Sequence, residues 1–105
     1  MRDDDIANIM RALGHPVRLE ILRILASQQG QCCCGDVSDS LPLAQSTVSQ
    51  HIKVLLEADL IQRKAQGTRN RYCINLDKLG ELNSAFGGLL EGLSPLVANT
   101  EAELA

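Results

Sequence analysis

The period of the apolar positions changes twice along this chain. Ile6, Ile9, Met10 and Leu13 fall at i, i+3, i+4 and i+7, one stripe of a first helix. Asp3, Asp4 and Asp5 ahead of them can cap that helix and suit the positive end of its dipole, and Gly14 stops it. Pro16 suits the first turn of a second helix, which runs to about Ala26 with Val17, Ile21, Ile24 and Leu25 on one face. Residues 28–31 are a polar break around Gly30. A short helix is expected from near Gly35 and Asp36 to about Ser40, with Pro42 breaking it. The next helix begins near Gln45 and reaches Glu57 or Ala58. Its buried stripe is Val48, Ile52, Leu55 and Leu56; at about 100° per residue, Ser46, Ser49, Gln50 and Lys53 lie on the other side.

Period two takes over at Leu60. Residues 60–64 read as a strand, 66–68 as a turn and 69–76 as a second strand. In the second strand Tyr72, Ile74 and Leu76 alternate with Arg69, Arg71 and Cys73. A last helix follows, with Asp77 as its expected N-cap. Leu79, Leu82, Phe86, Leu89, Leu93 and Leu96 are spaced 3-4-3-4-3, the seam of a coiled coil. Gly87, Gly88 and Gly92 lower its intrinsic helicity, and Pro95 kinks or ends it.

These elements predict a mainly α chain with a small β-hairpin: about five helices and a two-stranded wing. Helix, short helix, turn, longer helix and hairpin is the order of a winged helix-turn-helix, whose second helix enters the major groove of DNA. At 105 residues the chain fits one domain, with residues 6–76 as the DNA-binding core, 77–98 as a C-terminal dimerisation helix and 99–105 as a frayed tail. With Tyr72 and Phe86 as the only aromatics, the core rests on aliphatic side chains. So small a core gains from a partner. The first and last helices are the expected dimer interface, through Ile6, Ile9, Met10, Leu79, Leu82, Phe86, Leu89 and Leu93; the alternative is that the seam packs on its own domain.

The net charge is −3, which argues against DNA until it is divided. Residues 44–75 set Lys53, Arg63, Lys64, Arg69 and Arg71 against Glu57 and Asp59, a net +3 between acidic flanks of −2 and −4. A basic island is expected when one face alone meets phosphate. No apolar run is long enough to span a bilayer, and Met1-Arg2-Asp3-Asp4-Asp5 is unlike a signal peptide, so a cytoplasmic protein is expected.

The segments Ala12-Leu13-Gly14-His15-Pro16-Val17-Arg18-Leu19-Glu20-Ile21-Leu22, Gln45-Ser46-Thr47-Val48-Ser49-Gln50-His51-Ile52 and Leu55-Leu56-Glu57-Ala58-Asp59-Leu60-Ile61, with Gly67-Thr68-Arg69 and Tyr72, resemble the ArsR/SmtB family of metal- and thiol-sensing repressors. The resemblance covers about residues 6–90. It implies a dimeric winged-helix repressor released from its operator by an inducer. Two departures stand out. Ala44 occupies the N-cap where the family often has Ser, and Asp59 follows the helix where it often has Gly.

For base edges the expected residues are Ser46, Thr47, Ser49 and Gln50, beside Gln45 at the helix start; Gln can pair bidentately with adenine. Lys53, Arg63, Lys64, Arg69 and Arg71 are expected on phosphate, which sets affinity and salt dependence. His51, at the edge of the buried stripe, is expected to pack or to touch phosphate. The bland alternative for the set is a solvated polar face. A dimer would read a near-palindrome with half-sites one or two helical turns apart.

Cys32, Cys33 and Cys34 are the candidate inducer site. Thiolates bind As(III), Zn(II), Cd(II) or Cu(I). Resemblance to arsenic-responsive members implies cysteines just before the short helix; Cys33 matches the first of their Cys-x-Cys pair, Gly35 takes the second place, and Ser38 stands where some have another cysteine. Three adjacent cysteines cannot converge on one ion in a regular helix, only in a loop, which Gly30 and Gly35 would permit. Cys73 is expected to be too distant to join them. No cofactor is expected for DNA binding itself. A zinc site on the last helix is not expected, because the only histidines are His15 and His51. Alternatives are a metal-free thiol or persulfide redox sensor on the same cysteines, or an incidental triplet with the inducer elsewhere. From other classes come a thiol oxidoreductase, for which Cys-x-x-Cys and Cys-x5-Arg are both missing, and a protein-interaction module.

Overall fold

The computed structural model describes residues 1–28, 32–33, 37, 39–67 and 69–94, with the backbone alone at Cys32, Cys33, Gln66, Arg69 and Asn70. Two helices lead the chain, α1 (Asp3–Leu13) and α2 (Pro16–Ser27). The three aspartates lie inside the first turn of α1, where the Asp5 carboxylate accepts the Arg2 N–H at 2.9 Å. Pro16 opens α2 as expected. The cap is His15, whose Nδ1 accepts the Val17 N–H at 3.1 Å.

Of the expected short helix, Val37 and Asp39 are helical and the Ser40 N–H donates to the Val37 carbonyl at 3.2 Å; Gly35, Asp36 and Ser38 lie outside the described residues. Val37 is fully buried and joins the core. Helix α3 (Gln45–Glu57) then runs with Val48, Ile52 and Leu55 buried. Its C-terminus closes in a Schellman motif: the Asp59 N–H donates to the Leu56 carbonyl at 3.0 Å and the Leu60 N–H to Leu55 at 3.1 Å. Asp59 takes the left-handed conformation this requires, φ 60°, in the position where glycine is the easier fit. Leu55 and Leu60, both without exposed surface, complete the motif's hydrophobic contact.

Two long strands follow, β2 (Ile61–Gln66) and β3 (Arg69–Ile74), joined at Gly67 with φ 62°. They pair antiparallel from Ile61 opposite Ile74 to Gln66 opposite Arg69. Here the fold exceeds the expected two strands. A two-residue strand, β1 (Cys32–Cys33), pairs antiparallel along the other edge of β3, so the sheet order is β1-β3-β2 and β3 is central. The pairing satisfies backbone groups that a two-stranded wing would leave open on that edge.

Two local expectations are corrected. Strand β3 stops at Ile74, and Leu76 opens the last helix, α4 (Leu76–Gly92), with 75% of its surface exposed, instead of continuing the Tyr72 face. Asp77 lies in the first turn of α4, while its N-cap is Asn75. The Asn75 Oδ1 accepts the Lys78 N–H at 3.2 Å, and its Nδ2 donates to the Asp59 carbonyl at 3.0 Å. Helix α4 ends at Gly92; Pro95, Leu96 and the 99–105 tail lie outside the described residues. The core joins Ile9 and Ala12 of α1, Ile21 and Leu25 of α2, the α3 stripe, Leu60, Ile61, Tyr72 and Leu82. No described helix is long and apolar enough to cross a membrane.

Ala44 is the N-cap of α3, extended at φ −62° and ψ 144°, with no side chain to accept an amide of the first turn. Ala44→Ser is expected to stabilise the fold by about 1 kcal/mol. For a domain of this size that raises Tm by roughly 4–8 °C, which a thermal melt would show.

Candidate nucleic-acid interface

Burial of Val48, Ile52 and Leu55 fixes the rotation of α3, and so decides what it shows to solvent. Gln45, Ser46, Ser49, Gln50 and Lys53 are exposed; Thr47 and His51 are half-buried. The outward face is therefore hydroxyl, amide and ammonium over three turns, with Glu57 the first carboxylate. All the expected base-reading residues lie on this helix, and Thr47 is less open than its neighbours.

The wing cations do not share one face. Arg63 stands opposite Tyr72, and Lys64 opposite Arg71. Since paired residues share a face and successive residues alternate, Arg63 lies on the Tyr72 side and Lys64 and Arg71 on the other. Ser49, Lys53 and Glu57 of α3 and Arg63 and Tyr72 of the wing line a cleft of about 430 Å³ between helix and hairpin. Lys53 and Arg63 thus flank one groove. Arg69 pairs with Gln66 at the hairpin tip.

His15 and His51 were less legible from sequence. Their rings stack at 4.5 Å between centroids, tilted by 48°, joining the start of α2 to the middle of α3. A His-Pro pair at a helix start was the available signal for the cap. Burial first, then the nearby His15 and Arg18 charges, holds the His51 pKa below its ordinary value of 6.5. The unfolded chain takes up this proton before the folded one. His51 therefore costs the fold nothing above pH 6.5 and destabilises it as pH falls through that value. His51→Gln is expected to flatten that acid-side loss of stability, checked by urea titrations from neutral to mildly acidic pH.

Cys32 and Cys33 are not in the expected loop. Cys32 and Cys33 form β1, with Cys32 opposite Tyr72 and Cys33 opposite Arg71; Cys34 lies outside the described residues. Cys73, on β3, is half-buried, with its Sγ 3.8 Å from the Gln62 carbonyl. The strand brings it beside β1, not away from it as expected. Of the expected interface residues, Ile9 and Leu82 are buried in the chain's own core. Ile6, Met10 and Leu79 are half-buried, while Phe86, Leu89 and Leu93, with Leu90, leave an apolar strip exposed along α4.

A helix pair whose second member offers a polar face, followed by a basic antiparallel hairpin, defines a winged helix-turn-helix DNA-binding protein. Residues 15–63 match the model of the bacterial regulatory proteins of the arsR family. The chain belongs to the ArsR family of transcriptional regulators. It is 37% identical over 76 residues to an uncharacterized HTH-type transcriptional regulator of Methanocaldococcus jannaschii, covering 72% of this chain and 84% of that one. It is 36% identical over 74 residues to the arsenical resistance operon repressor of Bacillus subtilis, covering 70% of each. Among solved structures it resembles the homodimeric winged helix-turn-helix DNA-binding domain of a possible ArsR-family regulator from Mycobacterium bovis. The TM-score is 0.67 at 25% identity, covering 84% of this chain and 80% of that domain.

Proposed function

We propose that the protein is a transcriptional repressor that binds a near-palindromic operator as a homodimer in the cytoplasm, and leaves it when a thiol-reactive inducer binds Cys32, Cys33 and Cys34. The inducer class is As(III) or another soft metal ion, which the thiolate donor set favours. The observation that carries the DNA reading is the exposed Ser46, Ser49, Gln50 and Lys53 face of α3 beside the Arg63 side of the wing. Dimerisation is supported by the apolar strip on α4 and by the homodimeric relative. DNA binding itself needs no cofactor. The inducer works by linkage: it binds the free form better than the operator-bound form, and a coupling of about 1–3 kcal/mol lowers operator affinity roughly 5–150-fold.

The test is a gel shift of reduced protein on the DNA upstream of its own gene, with and without arsenite. Retardation that competitor DNA of unrelated sequence does not abolish, and that arsenite reverses, is the expected result. Replacing Cys32, Cys33 and Cys34 together by serine should leave the shift and abolish its reversal. Absence of specific retardation at any salt concentration sinks the repressor reading; reversal that persists in the serine variant sinks the cysteine receptor.

A further inference from the structure

The hairpin has two charged faces, and the cleft beside α3 takes in only one of them. Arg63 and Tyr72 share the side that forms this cleft, while Gln62 with Cys73 and Lys64 with Arg71 share the other. The second face lines a cavity of about 740 Å³, which also takes in Ala26 at the end of α2 and Leu76 and Asp77 at the start of α4. That volume suits a small molecule.

The charges of the lining say which kind. Lys64 and Arg71 stand directly opposite each other, where like charges repel. Among the described residues the ion pairs are Arg23 with Glu20 and Lys78 with Glu81, so neither wing cation has a carboxylate partner there. Arg71 is half-buried, which strengthens its demand for a counter-charge. The carboxylate in the lining, Asp77, lies six residues along from Arg71, in the first turn of α4, where the helix dipole suits it. Asn75 brings no free amide, because its Nδ2 and Oδ1 are engaged with the Asp59 carbonyl and the Lys78 N–H. Ala26 and Leu76 are exposed, Leu76 over 75% of its surface, and add an apolar wall beside the half-buried Cys73.

We propose that this cavity binds a small organic anion: a carboxylate, sulfonate or phosphate ester on an apolar body. The anionic group lies between Lys64 and Arg71, and the body extends over Cys73, about 7 Å along the strand, toward Ala26 and Leu76. The planar guanidinium can hold two oxygens of the anion at once in charge-assisted hydrogen bonds. No thiol chemistry enters, so the site stands apart from the cysteine receptor. An occupant also changes the field of the wing. Residues 44–75 carry a net +3, which a monoanion lowers by one and a dianion by two. Occupancy therefore weakens the pull on DNA, most of all at low salt.

The probe is anilinonaphthalene sulfonate, an anionic group on an aromatic body, titrated into the full-length chain and followed by its fluorescence. One saturable site per chain is expected. Arg71→Gln should weaken binding by about ten-fold or more, and Lys64→Gln by less, because the exposed Lys64 is screened by solvent. Phenylnaphthylamine, which lacks the sulfonate, should bind the parent and both variants alike. Leu90→Ser, on the apolar strip of α4, should leave the affinity for the sulfonate probe unchanged. In the parent, which carries no substitution, rising chloride should displace the sulfonate probe and spare the uncharged one, and saturating sulfonate probe should weaken binding to random-sequence DNA. Parent-like affinity in the Lys64→Gln, Arg71→Gln double variant overturns the site. So does loss of binding in Leu90→Ser, a parent that holds both probes equally at all chloride concentrations, or a parent that binds no sulfonate probe.

Discussion

Replacing Gln50 by alanine is expected to weaken the operator complex by about 1–3 kcal/mol, roughly 5–150-fold in Kd, while sparing stability and binding to random DNA. Gln50 is exposed in the middle of α3, one turn past the uncapped N-terminus, and its amide can both donate and accept. That two-way pattern is what an adenine edge presents, so its loss should relax sequence preference at one position of each half-site. Lys53→Ala is the control on the same face, one turn further along. An ammonium on phosphate carries no sequence information, so this variant should weaken all DNA alike and reduce the salt slope by about one. Binding measured over a series of salt concentrations, on specific and scrambled duplexes, separates the two. Uniform weakening by Gln50→Ala would mean that α3 holds the backbone without reading bases.

The second large effect is on the fold. Leu55→Ala is expected to cost about 2–5 kcal/mol, a sizeable part of the 5–15 kcal/mol that holds a typical domain together. Leu55 has no exposed surface, and its carbonyl accepts the Leu60 N–H that closes α3. Truncation therefore empties the core beneath the reading helix at the point where the chain turns into the wing. Urea unfolding should show a lower midpoint with an unchanged slope. The exposed Leu90 gives the contrast. It lies outside the core, so its truncation is expected to cost the monomer little, and a larger loss that grows on dilution would mark association through α4.

The helices were legible because each carries a long apolar stripe and a chemical stop. The period over Val48, Ile52 and Leu55 gives both the boundaries of α3 and the face it exposes. The left-handed turn at Asp59 was visible as a short polar residue between a helical and an extended run. The strand β1 was not visible. Two residues are too few to show a period, and their partners lie about forty positions along the chain. The same blind spot misplaced Cys73, whose neighbours are decided by register alone. Competing caps misled in another way. Asp77 and Asn75 are both good N-cap residues, and the choice falls to Asn75 because its amide also reaches the Asp59 carbonyl. Ile9 and Leu82 fit the same periodic stripe as exposed neighbours, and spacing cannot say which side of a helix faces its own core and which a second chain.

The Asn75 amide has a mechanical meaning. Its Nδ2 holds the carbonyl at the exit of α3, its Oδ1 holds the entry of α4, and its own N–H donates to the Leu60 carbonyl at 2.9 Å. Three bonds on one nearly buried residue weld the two helices at a joint with little play. In a pair of chains meeting through α4, a roll of one α4 against the other would turn the reading helices like pointers on geared shafts, with no deformation inside either chain.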